Sequence, residues 1–270
     1  MRRLLIRPGG IGDCILSFPA LEFLKADYTE VWVPGDVAPL VRFADRVCSI
    51  ASTGLDLLGL PETDPPGALL DRLRSFDSIV SWYGANREEF RSLVRELGLP
   101  FRFLPALPPA GERMHAADFF LREAGGKGTA VPRIECPSAA RCDFAVIHPF
   151  SGGARKNWPI AKFRELAGRL SCPVQWCAGP EEVLDSAVRM DSLWDLACWL
   201  AATQVYIGND SGITHLAAAV GTPAVAIFGP SDAAIWGPRG ERVHIVSGRL
   251  EDIRVDQVLG AILHCVADGG

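Results

Sequence analysis

The sequence predicts an α/β protein made of two similar halves, each with a mainly parallel sheet. Short apolar runs alternate with longer segments of helical period, which is typical of strands joined by crossover helices. The alternation is interrupted by a stretch rich in Gly, Pro and Ser and then starts again. We therefore predict a first domain at residues 1–126, a linker at 127–142 and a second domain at 143–270. Ligands are expected at the carboxyl ends of the strands and in a cleft between the halves.

The first half opens with the strand RRLLIRP and the helix DCILSFPALEFLKAD, whose apolar residues recur with a helical period. The strands that follow are EVWVP, VCSIAS and DSIVSWYG, with a short helix at 39–43 after EVWVP. LLDRLRSF, REEFRSLVRELG and RMHAADFFLREAGG are predicted helices, the second closed by Gly98. FRFLPALPPAG is rich in proline and is expected to be an irregular crossing.

The second half repeats the pattern. Its predicted strands are DFAVIHP, CPVQWCAG, QVYIGND, TPAVAIFGP and RVHIVSG. Its predicted helices are PIAKFRELAGRL, EEVLDSAVRM, SLWDLACWLAA, SGITHLAAAV and VDQVLGAILHCVA.

Composition excludes several classes of protein. Hydrophobic residues make up 49% and charged residues 22%, which is normal for a soluble protein, and the net charge of −5 argues against nucleic-acid binding. No apolar run approaches the roughly 18 residues of a membrane span, and the run before Arg7 is too short for a signal sequence. The eight cysteines contain no C-x-x-C pair and are expected to be reduced and mainly buried. We therefore expect a cytoplasmic protein.

The first glycine loop, IRPGGIGDC, follows a strand without completing a dinucleotide fingerprint. Gly10 and Gly12 supply two glycines, but Ile15 stands where the third belongs and the next strand ends in Pro34 instead of an acid. NAD and FAD are therefore not expected. An N-terminal cap on the following helix is the simpler interpretation of Asp13. The alternative is an ionised carboxylate that acts as a general base.

The second loop, HPFSGGARKNWP, concentrates groups that bind anions. Ser151, Gly152 and Gly153 can offer a hydroxyl and backbone N–H groups to an anion. Arg155 and Lys156 add positive charge beside them. The G-K-[ST] of a P-loop is absent. An anion site is favoured over a solvated turn in which Trp158 serves as the packing anchor.

The third segment, GNDSGITHLAAAVGTPAVAIFGPSD, ends one strand and opens a helix. The amides of the segment Asn209, Asp210, Ser211 and Gly212 can hold a second phosphate there. Thr214 and His215 lie on the first helical turn, near enough to contribute. A Ser-His-Asp triad is rejected because there is no G-x-S-x-G elbow and adjacency in sequence rarely builds that geometry. The alternative is a structural one, with Asp210 as a cap and His215 in the core.

Two helix starts suited to anions in one half suggest a nucleotide that carries a diphosphate. Glu181 and Glu182 follow the end of the strand CPVQWCAG, so either could accept hydrogen bonds from ribose hydroxyls. An exposed acid in a first helical turn is the competing interpretation.

Three motifs together resemble family 9 glycosyltransferases, the ADP-heptose:lipopolysaccharide heptosyltransferases. They are I-R-x-x-x-I-G-D near the start, H-P-x-S-x-x-x-x-K-x-W-P in the middle, and N-D-S-G-x-x-H-L-A-A-A-x-G-T-P-x-x-x-x-F-G-P-S-D late in the chain. The resemblance runs over essentially the whole chain and is strongest over residues 148–238.

The resemblance implies a GT-B fold, with two Rossmann-like domains that face each other across a cleft and a terminal helix that can pack back on the first domain. It implies inverting, metal-independent transfer of a heptose or related sugar from an ADP-sugar, with no cofactor. The acceptor would be a lipid-linked cell-envelope glycan such as the lipopolysaccharide inner core, reached in the cytoplasm or at the inner membrane surface.

The resemblance also implies roles for individual residues. Asp13 would be the general base on the acceptor side, next to Gly10 and Gly12, and Lys156 would assist catalysis. The donor nucleotide would be bound by Ser151, Gly152, Lys156, Glu182, Asp210, Ser211, Gly212 and His215. Because the chain is shorter than is usual for the family, a non-catalytic nucleotide-sugar-binding relative is the alternative, and an epimerase is a third interpretation.

Overall fold

Two five-stranded parallel sheets organise the parts of the chain that a computed structural model describes, which are residues 1–58, 67–137, 140 and 142–267. The chain separates into two units. The first comprises Met1–Gly10, Ser17–Glu112 and Ala116–Ala130. The second comprises Ile11–Leu16, Arg113–His115 and Val131–Gly270. The predicted fold class, two α/β domains with parallel sheets, is confirmed.

The sheet of the first unit follows the predicted series of strands. Its strands are β1 (Arg2–Ile6), β2 (Tyr28–Val33), β3 (Arg46–Ser49), β4 (Ser78–Ser81) and β5 (Phe101–Phe103). The helices along this part of the chain are α1 (Ile11–Phe23), α2 (Gly67–Arg74), α3 (Glu88–Glu96) and α4 (Ala116–Ala124), and 3₁₀ turns cover Ala38–Leu40, Ile50–Ser52 and Leu55–Leu57. The strand order is β3-β2-β1-β4-β5. The order reverses between β1 and β4, so the loops after these two strands lie at the position where ligands bind such sheets.

The apolar runs form strands because they are buried on both faces by helices. Leu4, Leu5 and Ile6 of β1 have no exposed surface. Gly98 ends α3 with a φ of +63°, and its N–H donates to the Arg95 carbonyl, as the sequence predicts for a C-terminal cap.

The second unit repeats the arrangement with a different strand order. Its strands are β6 (Ala145–His148), β7 (Val174–Trp176), β8 (Val205–Asn209), β9 (Ala224–Phe228) and β10 (Val243–Ser247). Its helices are α5 (Ile160–Arg169), α6 (Leu193–Ala202), α7 (Gly212–Ala219), α8 (Ala233–Trp236) and α9 (Val255–Ala267), with a 3₁₀ turn at Ala154–Lys156. The order β10-β9-β8-β6-β7 places the reversal between β6 and β8.

The terminal helix belongs to the core of this second unit. Val258, Ile262 and Cys265 of α9 are buried in one cluster with Phe163 and Leu166 of α5. The return of this helix onto the first domain stays a prediction.

The irregular crossing expected at FRFLPALPPAG is wrong at its start. Phe101–Phe103 forms β5, which pairs in parallel with β4 through Ile79, Val80 and Ser81. The rings of Phe101 and Phe103 each contact Phe90 edge to face, which anchors this edge strand. The prolines at 105, 108 and 109 end the strand, and their number hid it in the sequence.

The helix predicted at EEVLDSAVRM is also wrong. The guanidinium of Arg189 donates to the carbonyls of Glu182, Leu184 and Ala187, which therefore accept bonds that a helix would not give them. Ser186 has a φ of +57°, in the left-handed region that interrupts a helix. The apolar period of this segment comes from a loop that returns to β7, where Val188 N–H donates to the Trp176 carbonyl.

The predicted linker includes residues 138, 139 and 141, which lie outside the described residues, and the domain boundaries stay a prediction. Across the described chain, no helix combines the length and apolar character that crossing a bilayer requires.

Candidate functional site

The loops after β6 and β8 are joined at the reversal point of the second sheet. Asn209 is fully buried at the end of β8, and its side-chain oxygen accepts a hydrogen bond from the backbone N–H of Trp158 at 2.9 Å. Its amide nitrogen donates to the Pro149 carbonyl at 2.7 Å. One side chain therefore ties the loop after β6 to the strand that leads into α7, and it fixes where both loops present their polar groups.

The loop that contains Ser151 and Gly152 leaves its backbone open on one side. The Ser151 hydroxyl contacts the Gly153 carbonyl at 2.8 Å and the Asn157 side-chain oxygen at 2.7 Å. Because a hydroxyl carries one hydrogen, these two contacts are alternatives. A Cβ built on Gly152 would meet no atom within 4 Å, so a ligand can approach this backbone closely.

Lys156 and Asp210 form an ion pair that brings the second and third motifs together. Lys156 Nζ lies 2.8 Å from Asp210 Oδ2, with 8% of the Asp210 side chain exposed and 40% of the Lys156 side chain. The amide of Asp210 donates to the Ile227 carbonyl at 3.0 Å, so it is not among the free amides expected there. An anion would therefore meet the ammonium group of Lys156 and not this amide.

The start of α7 is capped by its own side chains. The Ser211 hydroxyl accepts from the Thr214 N–H, and the two hydroxyls lie 3.1 Å apart. The Thr214 hydroxyl also contacts the phenol of Tyr206 at 3.1 Å. The Ser211 hydroxyl is thus bonded to Thr214 and not to His215, in agreement with the rejection of a catalytic triad.

His215 is buried beside two acids. Burial lowers the pKa of His215 to about 4, although the charges of Asp210 and Asp13 act in the opposite direction. His115 and Lys156 lower the same pKa further. The imidazole is therefore neutral near pH 7 and can donate or accept hydrogen bonds without adding a charge.

The first turn of α1 packs against the start of α7. A Cβ on Gly12 would come within 2.9 Å of His215 Cδ2, and a Cβ on Gly212 within 2.7 Å of Ile11 Cβ. Only glycine permits this approach, because Cβ contacts below 3 Å force neighbouring atoms to shift. The glycines of the two motifs thus serve to bring two helix starts together.

This packing decides where Asp13 lies. The helix α1 begins at Ile11, so Asp13 is in the first turn and not in front of it, and its side chain is half-buried. Residues Ile11–Leu16 group with the second unit, whereas Gly10 groups with the first. Asp13 therefore shares a unit with Lys156, Asp210 and His215. Its role as a base stays a prediction.

Glu182 is distinguished from Glu181 by its contacts. Glu181 is exposed, whereas Glu182 Oε2 accepts from the Gly179 N–H at 2.6 Å and lies 3.0 Å from His148 Nε2. Burial would raise the pKa of Glu182, but the hydrogen bonds from His148 and Gly179 outweigh it and lower the pKa below its usual value. The carboxylate is ionised and fixed at the end of β7.

Sequence reasoning gave no role to three side chains around this site, although two of them, His148 and Asn209, lie within the quoted motifs. His148 contacts Glu182, Asn209 ties the loops together, and the His115 ring lies 2.8 Å from the Gly237 carbonyl and acts on His215. His148 and Asn209 each end a strand at the reversal point, which is the signal that could have identified them. His115 lies outside the motifs and gave no signal.

Comparison with known proteins adds a family to this geometry. Residues 130–258 match the sequence profile of "Glycosyltransferase family 9 (heptosyltransferase)". Lipopolysaccharide heptosyltransferase 1 of Salmonella typhimurium is 30% identical over 124 residues, which are 40% of this chain and 39% of that protein. The sequence match thus spans about two-fifths of that relative's length.

Solved structures share the fold over nearly the whole chain. A glycosyltransferase of family 9 from Veillonella parvula has a TM-score of 0.78 at 16% identity, covering 99% of this chain and 97% of that one. The heptosyltransferase WaaC of E. coli, solved with ADP, has a TM-score of 0.72 at 18% identity, covering 98% and 100%.

The resemblance drawn from the three motifs is therefore confirmed. The chain is similar to the heptosyltransferases of glycosyltransferase family 9, in sequence over residues 130–258 and in fold over nearly its full length.

Proposed function

We propose that the protein is an inverting glycosyltransferase that moves a heptose, or a related sugar, from an ADP-sugar to a hydroxyl of a cell-envelope glycan such as the lipopolysaccharide inner core. The heptosyltransferases to which it is similar, one of them solved with ADP, support the donor and the class of acceptor. We expect it to act in the cytoplasm or at the inner membrane surface, where a lipid-linked acceptor would be presented.

One observation carries the proposal: residues from each of the three motifs meet in the second unit. The starts of α1 and α7 touch through Gly12 and Gly212. Asp13 lies on the first of these helices, and Asp210, paired with Lys156, lies two residues before the start of the second. A carboxylate can supply the base, and an ammonium group and a helix N-terminus can stabilise the departing diphosphate, in transfer from a sugar diphosphate.

The proposed reaction is a single displacement. Asp13 accepts the proton of the acceptor hydroxyl as its oxygen bonds to the anomeric carbon of the sugar. The bond from that carbon to the diphosphate oxygen breaks, and ADP leaves with the electron pair. Attack opposite the leaving group inverts the configuration at this carbon.

Lys156 and the N-terminus of α7 would stabilise the charge that develops on ADP, without a metal or a cofactor. The charge of Lys156 is balanced by Asp210. A diphosphate carries more negative charge than one carboxylate and would compete for the exposed part of this ammonium group. The same pair would hold Lys156 in position until the donor binds.

The test compares two acids that occupy the same place on different helices. Asp13 lies in the first turn of α1, and Asp195 lies in the first turn of α6. Asp13→Asn should lower the transfer rate by at least about 100-fold because the base is lost. Its affinity for ADP, measured by calorimetry, should stay within a few-fold. Asp195→Asn should leave both quantities unchanged.

Two results would contradict the proposal. Near-normal turnover of Asp13→Asn on purified inner-core acceptors would make Asp13 a residue that only stabilises its helix. Failure of the unmodified protein to bind ADP, UDP or GDP would remove the donor site itself.

A further inference from the structure

Among the described residues, the ring of His148 makes one polar contact, and that contact is with Glu182. It ends β6 with 3% of its surface exposed, and its Nε2 lies 3.0 Å from Glu182 Oε2. Its Nδ1 is buried and has no hydrogen-bond partner within the part of the chain that the structure describes. An apolar side chain of the same size would fill this position without burying a polar nitrogen. The bond to Glu182 is therefore the interaction that distinguishes the imidazole from an apolar side chain at this position.

That bond determines which ring nitrogen of His148 carries the hydrogen and which oxygen of Glu182 is occupied. A carboxylate oxygen accepts, so Nε2 must carry the hydrogen. The Gly179 N–H donates to the same Oε2 at 2.6 Å. Both donors hold one oxygen of Glu182. The other oxygen, Oε1, has no partner among the described residues and remains for a ligand. The exposed fraction of the Glu182 side chain is 26%.

The loop that carries Glu182 is tied to neighbouring backbone by hydrogen bonds at both ends. Cys177 N–H donates to the Ile147 carbonyl of β6 at 2.9 Å, and Ala178 N–H donates to the Val188 carbonyl at 3.2 Å. Arg189 closes the loop by its bond to the Glu182 carbonyl at 2.7 Å. The backbone of residue 182 is thus fixed, and His148 and the Gly179 N–H set the rotation of its carboxylate.

We propose that His148 is a positioning residue that turns Glu182 so that Oε1 accepts a hydrogen bond from a ribose hydroxyl of the donor nucleotide. The inference rests on the proposed function, since it needs a ribonucleotide at the end of β7. It makes the His148–Glu182 pair a determinant of ribose over deoxyribose. A site built around a hydroxyl discriminates against the analogue that lacks it, because a buried acceptor then loses its partner.

The experiment measures how tightly ADP, 2′-deoxy-ADP and 3′-deoxy-ADP bind by calorimetry. The unmodified protein should bind ADP about ten-fold more tightly than at least one deoxy analogue, as a hydrogen bond to a charged acceptor implies. Glu182→Ala should reduce that ratio to about one. His148→Leu should reduce it to within about two-fold. His148→Gln should preserve most of it, since the amide nitrogen of Gln can occupy the position of Nε2.

A purely structural role for His148 would weaken all three nucleotides equally and leave the ratio unchanged in His148→Leu, which would overturn the inference. A ratio of one in the unmodified protein would overturn it as well, while ADP binding would leave the proposed donor site standing. Absence of ADP binding would instead refute the proposed function.

A measurement on the unmodified protein covers the case in which His148→Leu does not fold. A long-range ¹H–¹⁵N spectrum should show the hydrogen of the His148 ring on Nε2. A hydrogen on Nδ1 alone would exclude the bond to Glu182 and overturn the inference.

Discussion

Single charged groups in the candidate site are controlled by partners far away in the sequence. Lys156 and Asp210 are 54 positions apart, yet their charged atoms lie 2.8 Å from each other. Both residues were predicted to belong to the donor site, because each follows a strand that opens onto a helix or turn. Their pairing was not predictable, because it depends on β6 and β8 being neighbours in the sheet. The spacing of apolar residues predicts strands but not the order of strands in a sheet.

The pKa of His215 makes a prediction about acid stability. The folded value is about 4 and the ordinary value is 6.5, so between these pH values the unfolded chain binds a proton that the folded chain does not. Stability should therefore be unaffected by this group above pH 6.5 and should fall as the pH drops from 6.5 toward 4. The loss should reach at most about 1.4 kcal/mol per pH unit.

Urea unfolding at a series of pH values checks this, with His215→Gln as the comparison. Carboxylates such as Glu182, whose pKa is lowered, add their own loss of stability at more acidic pH in both proteins. Only the difference between the two proteins belongs to His215. Parallel curves between pH 6.5 and 4 would contradict the assignment.

At the scale of secondary structure, the candidate site is formed by the first turns of two helices and not by their whole length. Gly12 and Gly212 stand at the beginnings of α1 and α7, and neither position has room for a Cβ. This contact requires glycine for reasons of space. In the sequence, Gly12 is part of an incomplete dinucleotide fingerprint and Gly212 offers an amide that could hold a phosphate. The fold class and most elements were predictable, because the periods of strands and helices are local properties.

Replacing two helix glycines by alanine should distinguish the steric cost of a new methyl group from the gain in helix propensity. Gly212→Ala should destabilise the protein by about 1–3 kcal/mol, because the new methyl group would lie 2.7 Å from Ile11 Cβ. Gly260→Ala, within α9 and with no atom inside 4 Å of the new Cβ, should instead stabilise it by about 0.4–1 kcal/mol. Thermal and urea unfolding measure both changes. A stabilising effect at position 212 would show that the two helix starts are not closely packed in solution.

The elements that sequence reasoning missed have non-local causes. β5 has three residues and exists because β4 offers it an edge and Phe90 offers its rings a surface. The loop after β7 has a helical period, but Arg189 binds its carbonyls. Neither partner is visible within the segment itself, so a local pattern could not predict either result.

At the scale of the whole molecule, the nucleotide should stabilise one unit. A ligand stabilises the state that binds it, and the effect is confined to the cooperative region that forms the site. Saturating ADP should therefore slow amide hydrogen exchange in residues 142–267 and in Ile11–Leu16, which group together. Exchange in β2 to β5 should change little. Mass spectrometry of proteolytic peptides measures both, and protection spread evenly over the chain would contradict this division.

Residues 11–16 belong to the second unit although they lie near the start of the chain. This has a consequence for recombination between homologous proteins. A crossover near residue 130 looks neutral, because it falls between two sheets. It would nevertheless take Gly12 and Asp13 from one parent and Gly212 and His215 from the other. A bulkier residue at position 12 or 212 in either parent would then collide with its new neighbour. Chimeras of this fold should therefore exchange the segment 11–16 together with residues 131–267, and a discontinuous exchange should preserve activity that a single crossover loses.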